Sequence, residues 1–266
     1  MSSSSDTETI DYHVDASGIA HIRLNRPDVA NAFNDQMISE LIATLDTLSS
    51  YANVRALILT GDGNHFSAGA DIHWMRSMVT KSKEDNQNDA YQLATLLEKL
   101  DTFPHPTLAI VNGCAFGGAL GLICCCDMVI AHENAKFCLS EVKLGLVPAT
   151  IAPYVIRAIG IRQTRRYMLN AELIDSQRAL ELDLTHQIIN QEQTDHVTER
   201  WISNILALAP HALALSKRLC ARCEQVVVDG PLKRYTSELI AEVRVSDEGQ
   251  EGLSAFLDKR SPNWIK

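Results

Sequence analysis

The chain has 266 residues, enough for one large domain or two small ones and for a core that needs no disulfide or metal staple. Hydrophobic residues make up 46% and charged residues 21%, which excludes a disordered or collagen-like chain. The formal net charge of -9 argues against nucleic acid or an anionic membrane surface as the main partner. It leaves room for an anionic small molecule met by a local cationic pocket.

Residues 1–9 read as a disordered tail, and Met1-Ser2-Ser3-Ser4-Ser5-Asp6 shows neither the basic nor the apolar region of a signal peptide. Ile19 to Leu24 alternates as a strand, ended by Asn25-Arg26-Pro27. Asp35 to Leu48 sets Met37, Ile38, Leu41, Leu45 and Leu48 at helical spacing. Val54 to Thr60 predicts a buried strand closed by Gly61-Asp62-Gly63, followed by a loop through Phe66-Ser67-Ala68-Gly69-Ala70-Asp71. Asp85 to Leu100 predicts an amphipathic helix, and Thr107 to Val111 a strand that leads into a glycine-rich turn over Gly113 to Gly118. Short strands are expected at Asp127 to Ala131 and Lys136 to Leu139. Helices then dominate from Ile151 to the end, with one strand near Gln187 to Ile189.

Thr107 to Cys126 carries no charge and is long enough to span a bilayer. Asn112 and four glycines interrupt it, and Pro104 and Pro106 precede it, so a strand, a turn and a buried helix fit better. The seven cysteines are an odd number, which with the missing signal peptide predicts a reduced, cytoplasmic setting. Cys124-Cys125-Cys126 read as small hydrophobes, and the lone C-x-x-C at Cys220 and Cys223 reads as packing rather than a zinc or redox motif.

Strands and helices alternate first and helices alone follow, so the fold class is α/β with a helical C-terminal part. Three stretches of small residues stand out: Ser67 to Asp71, Asn112 to Gly121, and Leu139 to Pro148. Small residues let a backbone approach a ligand, and free N–H groups at a helix start attract negative charge. The same stretches taken singly would suit tight turns and close packing. No nucleotide fingerprint, P-loop, G-x-S-x-G elbow or H-E-x-x-H zinc motif is present, and no metal is expected.

Taken together the stretches are specific. Arg26-Pro27 with Asn31-Ala32-Phe33, the Phe66 to Asp71 loop, Asn112-Gly113 with Gly117-Gly118, Asp127, and Glu141 with Gly145 and Pro148 resemble, in order and spacing, the crotonase (enoyl-CoA hydratase/isomerase) superfamily, from about Ile19 to Trp264. The resemblance implies a superhelix of ββα turns over residues 10–195 and a helical trimerisation region over 196–266. It implies coenzyme A thioesters as substrates with no permanently bound cofactor, and a homotrimer or a hexamer built as a dimer of trimers.

By position, the N–H groups of Ala70 and Gly118 would form the oxyanion hole for a thioester enolate. Glu141 matches the second of the two glutamates that family hydratases carry, and Gly121 stands where the first would be. Its absence puts the two-carboxylate mechanism in doubt and suggests that volume and negative charge have been cleared beside the acyl chain. Glu141 is the expected acid/base group, the plainer role being a cap or a pair with Lys143. The stretch Phe137 to Val155 with Arg157 to Gly160 and Arg165 to Tyr167 is similar to bacterial methylglutaconyl-CoA hydratases and their carboxygeranoyl-CoA relatives. That likeness implies a 3-methylglutaconyl-CoA type substrate and a place in leucine degradation.

The resemblance places coenzyme A against Arg26, which would face phosphates, Ala30, and the backbone of Ala68 to Ile72, including Asp71. Phe256 and Lys259, on a helix resembling the one that reaches a neighbouring subunit's cofactor, would add contacts; an ordinary surface helix is the plainer reading. His73 and Trp74 are weaker candidates for the acyl pocket. Asp71 is expected to fix its loop. The rival readings are an enoyl-CoA isomerase working with one glutamate, and a non-catalytic relative that binds acyl-CoA or RNA.

Overall fold

In the computed structural model residues 8–224 and 226–265 are described. The expected tail over 1–9 lies mostly outside them. Thr9 is not part of a tail: it is buried, its N–H and hydroxyl both donate to the Glu40 carboxylate, and its carbonyl accepts from Asn25 N–H. It leads into β1 (Ile10–Val14), a short alternating segment not among the expected strands, which pairs antiparallel with β2 (Ile19–Leu24).

Asn34 caps α1 (Asp35–Ser50) by accepting from Met37 N–H at 2.9 Å, and the face bearing Met37, Ile38, Leu41, Leu45 and Leu48 is buried as its spacing predicts. After β3 (Ala56–Gly61) comes α2 (Ile72–Met78), one short helix started by the Asp71 carboxylate. A Ser82–Asp85 capping box starts α3 (Lys83–Asp101), longer at both ends than the periodicity suggests and buried only through Leu96, Leu97 and Leu100.

All five residues of β4 (Thr107–Val111) are buried, as expected of a parallel strand covered on both faces. The glycine-rich turn holds its own short strand, β5 (Cys114–Phe116), before α4 (Gly118–Cys124). Then follow β6 (Met128–His132), β7 (Lys136–Cys138) and α5 (Ala152–Asn170), which breaks at Gly160, where φ is +72°. The unit closes with β8 (Ile174–Asp175), α6 (Ser176–Glu181) and β9 (Gln187–Ile189).

The main sheet runs β1-β2-β3-β4-β6-β9 and is parallel from β2 onward. A smaller sheet runs β5-β7-β8. Ser67, just past β3, bridges Ala115, so a single row Ser67, Ala115, Phe137, Ile174 crosses the second layer, and all four side chains are buried. That row fixes where the loop after Ser67 and the turn after Phe116 emerge.

Residues 8–103 and 107–194 form one compact unit, and 104–106 with the described residues from 195 onward form another. The second holds most of α7 (Thr194–Leu206), then α8 (Pro210–Cys223), α9 (Gly230–Val245) and α10 (Asp247–Leu257). Within it the Glu248 carboxylate accepts from His211 and Ala212 N–H, closing the open start of α8. Among the described residues no helix is long and apolar enough to cross a membrane.

Candidate active site

The loop after Ser67 is held by a two-bond bridge to Phe33. Phe33 N–H donates to the Gly69 carbonyl at 2.8 Å, and Asp71 N–H donates to the Phe33 carbonyl at 2.8 Å. A trans peptide points its C=O and N–H in opposite directions. With the Gly69 carbonyl turned to Phe33, the N–H of Ala70 in the same peptide plane faces away, and no described residue accepts it. Gly69 has φ of +95°, and a Cβ there would sit 3.0 Å from the Phe116 carbonyl, so the turn demands glycine.

The second glycine-containing stretch yields a matching donor. Gly117 N–H is tied to the Cys138 carbonyl at 2.9 Å, and the Gly117 carbonyl accepts from Leu120 N–H at 2.9 Å. By the same planar logic Gly118 N–H, the first of α4, points outward without a partner among the described residues. Gly117 adopts φ of 52° with ψ of -123°, a region open to glycine and little else.

Glu141 opens a 3-10 turn, Glu141–Leu144, that ends at left-handed Gly145. Its Oε1 lies 3.2 Å from where a Cβ on Gly117 would stand, which puts the carboxylate against the peptide that carries the Gly118 donor. Oε2 is buried and has no hydrogen-bond partner among the described residues. Burial pushes the carboxyl pKa above its ordinary value, only partly offset by the residue's own backbone N–H.

One cavity of about 710 Å³ joins these groups: Ala70, Gly117, Gly118 and Glu141 line it, with Ala68, Asp71, Ile72 and His73 from the loop and α2. Ala32, Ser140, Leu144 and Leu146, from stretches singled out in the sequence, line it too, as do Val29, Met75 and Arg76, which no motif in the sequence marks.

Other residues expected near coenzyme A are not among the lining of this cavity. The Arg26 side chain does not line the cavity; its guanidinium turns inward, Nη1 donating to the Ala32 carbonyl at 2.6 Å and Nη2 to Asp71 Oδ2 at 2.9 Å. These two bonds tie the guanidinium to the loop and leave its remaining N–H groups for any phosphate. Ala30, with φ of 52°, meets the loop through its carbonyl, which accepts Ala68 N–H at 2.9 Å, but does not line the cavity. Trp74 packs on the hydrophobic core, again away from the lining. Phe256, 81% exposed near the end of α10, and Lys259, just past that helix with φ of 54°, belong to the second unit.

Asp71 fixes its loop. Oδ1 accepts from His73 and Trp74 N–H at 2.7 and 3.3 Å, while Oδ2 takes Arg26. Burial alone would raise this carboxyl, but Arg26 and the two N–H groups outweigh it and hold the pKa below the ordinary value.

Gly121, where the resemblance would put a first glutamate, does not face open space. A Cβ on Gly121 would stand 2.3 Å from Ile151 Cγ2 and 3.3 Å from Leu97 Cδ2. The expectation that Gly121 clears volume beside the acyl chain is therefore corrected: Ile151, fully buried, fills it.

Comparison with known proteins bears on this arrangement. A family model described as enoyl-CoA hydratase/isomerase matches residues 15–266. A putative enoyl-CoA hydratase of Thermus thermophilus is 31% identical over 251 residues, covering 94% of this chain and 99% of the relative. A 2,3-dehydroadipyl-CoA hydratase of Escherichia coli is 30% identical over 244 residues, covering 91% and 93%. Among solved structures, an enoyl-CoA hydratase from Shewanella pealeana matches with a TM-score of 0.94 at 48% identity over 97% of each chain. Pseudomonas aeruginosa AtuE matches with a TM-score of 0.94 at 35% identity, over 97% of this chain and 100% of that one.

Proposed function

Because the chain belongs to the enoyl-CoA hydratase/isomerase family and is a carbon–oxygen lyase of enoyl-CoA hydratase type, we propose that Glu141 is its acid/base group and that Ala70 and Gly118 hold the thioester oxygen. Glu141 takes a proton from water as the hydroxyl adds to Cβ of the enoyl thioester. The electron pair moves to the thioester oxygen, where two N–H donors meet the developing charge; one such donor contributes roughly 2.7–4 kcal/mol. Glu141 then returns the proton to Cα, so one water is added and the carboxylate is regenerated. The observation that carries this reading is the partnerless buried Oε2 of Glu141 in the same cavity as two partnerless N–H groups.

The preferred substrate in this reading is an enoyl-CoA whose acyl chain ends in a carboxylate, of the 3-methylglutaconyl-CoA type. Two observations support it. Arg76 lines the cavity and no carboxylate pairs with it among the described residues. A relative at 30% identity is named for a substrate, 2,3-dehydroadipyl-CoA, that carries such a terminal acid.

A second reading has its own observation: the sealed Gly121 position leaves no room for a second glutamate there, so Glu141 works without that partner. One carboxylate suffices to take a proton from Cα of a 3-enoyl-CoA and return it at Cγ, which is isomerisation. Turnover of 3-methylglutaconyl-CoA, crotonyl-CoA and a 3-enoyl-CoA, with product identification, tests both. A hydroxyacyl-CoA formed fastest from the first substrate supports hydration; a shifted alkene from the third, with no hydroxyacyl product, overturns it.

The assembly in this reading is a homotrimer, or a pair of trimers. Val245, Leu253, Phe256 and Leu257, all exposed on α9 and α10, supply apolar surface suited to a subunit contact. Light scattering on the purified protein decides it.

A further inference from the structure

Arg26 is joined to the Ala70 N–H by an unbroken series of planar groups. Its Nη1 donates to the Ala32 carbonyl at 2.6 Å. The Ala32 carbonyl shares a peptide plane with Phe33 N–H, which donates to the Gly69 carbonyl at 2.8 Å. The Gly69 carbonyl in turn shares a plane with Ala70 N–H, which faces the cavity.

We propose that Arg26 is a positioning residue, the charged head of a relay of two peptide groups that aims and polarises the Ala70 N–H. The inference rests on the reading of Ala70 as an oxyanion donor.

Three features support it. First, each link is short, and hydrogen bonds in series strengthen one another by about 10–30% per bond. The guanidinium, although paired with Asp71, is a charge-assisted donor to Ala32; it draws electron density along the relay and leaves the last N–H a stronger donor. Second, the second arm of the same guanidinium reaches Asp71 at 2.9 Å, the residue immediately after Ala70. Arg26 thus holds both sides of the Phe33–Ala70 bridge, one through Ala32 and one through Asp71. Third, the base of Arg26 is fixed independently: its own N–H donates to Asn31 Oδ1 at 2.8 Å, and the Asn31 amide donates to the Asp62 and His65 carbonyls, both at 2.8 Å. The arginine is anchored at both ends of its side chain, and its charge lies under the loop that lines the cavity.

Displacing a catalytic donor by about an ångström costs about 10²-fold in rate. A purely structural or phosphate-binding arginine would not select the thioester carbonyl, so the test reads that carbonyl directly. A cinnamoyl-CoA chromophore absorbs at longer wavelength when its carbonyl is polarised by the hole. Wild type, Arg26→Met, Arg26→Lys and Asp71→Asn are compared for that red shift, for kcat and KM on crotonyl-CoA, and for thermal stability.

The expected result is a clear red shift in wild type, most of it lost in Arg26→Met. The kcat of that variant falls towards 10²-fold with KM little changed, and Arg26→Lys, which keeps a charged donor for Ala32, recovers part of both. Asp71→Asn, which keeps the Ala32 link, loses less of the shift than Arg26→Met. If Arg26→Met does not fold, the order wild type, Asp71→Asn, Arg26→Lys in red shift carries the same test. An unchanged shift in a folded Arg26→Met variant overturns the relay. So does a rise in KM at constant kcat that vanishes at high salt, since that marks a phosphate ligand. Absence of any shift in wild type overturns the oxyanion reading itself and the relay with it.

Discussion

Ile151 occupies the space that a side chain at Gly121 would need, with Cγ2 only 2.3 Å from an ideal Cβ position. The two residues are complementary: the isoleucine is buried because the glycine has nothing to put there. Gly121→Ala is expected to destabilise the fold by about 1–3 kcal/mol, as overpacking does. Ile151→Ala in the same chain should recover much of that loss, and a urea-denaturation double-mutant cycle measures the coupling. Additive effects would show that the two side chains do not compete.

Glu141→Gln should lower turnover by about 10²-fold or more, the range expected when a general acid/base is lost. In wild type the rising limb of kcat/KM against pH should fall above the ordinary glutamate value of about 4.3, because burial disfavours the ionised form. A limb at or below that value would contradict the buried, partnerless carboxylate as the base.

The same burial has a consequence for stability. With its folded pKa raised, Glu141 favours the fold at low pH, and that contribution is lost as pH rises through the folded value. Glu141→Gln carries no charge at any pH. Its melting temperature should match wild type in acid and exceed it at neutral pH. A variant less stable than wild type at pH 7 would show that the carboxylate has partners in solution.

Arg76→Gln tests the substrate charge. Loss of a cation that meets a terminal carboxylate should raise KM for 3-methylglutaconyl-CoA well above any change for crotonyl-CoA. Equal changes for the two would place Arg76 against the shared coenzyme A phosphates.

Ala70, Gly118 and Glu141 are singled out in the sequence by the resemblance of their stretches to the family, and what the residues themselves announce is only their setting: glycines where φ is positive and small residues where a backbone must approach closely. The pairing of Arg26 with Asp71 is not legible, because the two are 45 residues apart and only the folded chain brings them together. Ile151 is hidden for the same reason: its meaning depends on Gly121 across a packed interface. At the fold level, Ile10-Asp11-Tyr12-His13-Val14 alternates as a strand does, but the run is only five residues long beside a Ser-rich N-terminus, so its strand character becomes plain only from its pairing with β2. The short α2 is missed because it starts from the Asp71 cap rather than from an apolar stripe.

Cys125 closes α4 by donating its N–H to the Gly121 carbonyl, and its thiol is buried, with burial pushing its pKa far up. Such a thiol is inert to alkylating reagents while the helix is closed. Its labelling rate in the native protein would therefore time the opening of the helix whose first residue is Gly118. The chain carries a built-in clock for how often the helix behind the proposed Gly118 donor comes apart, readable by mass spectrometry after alkylation, with no substitution in the chain.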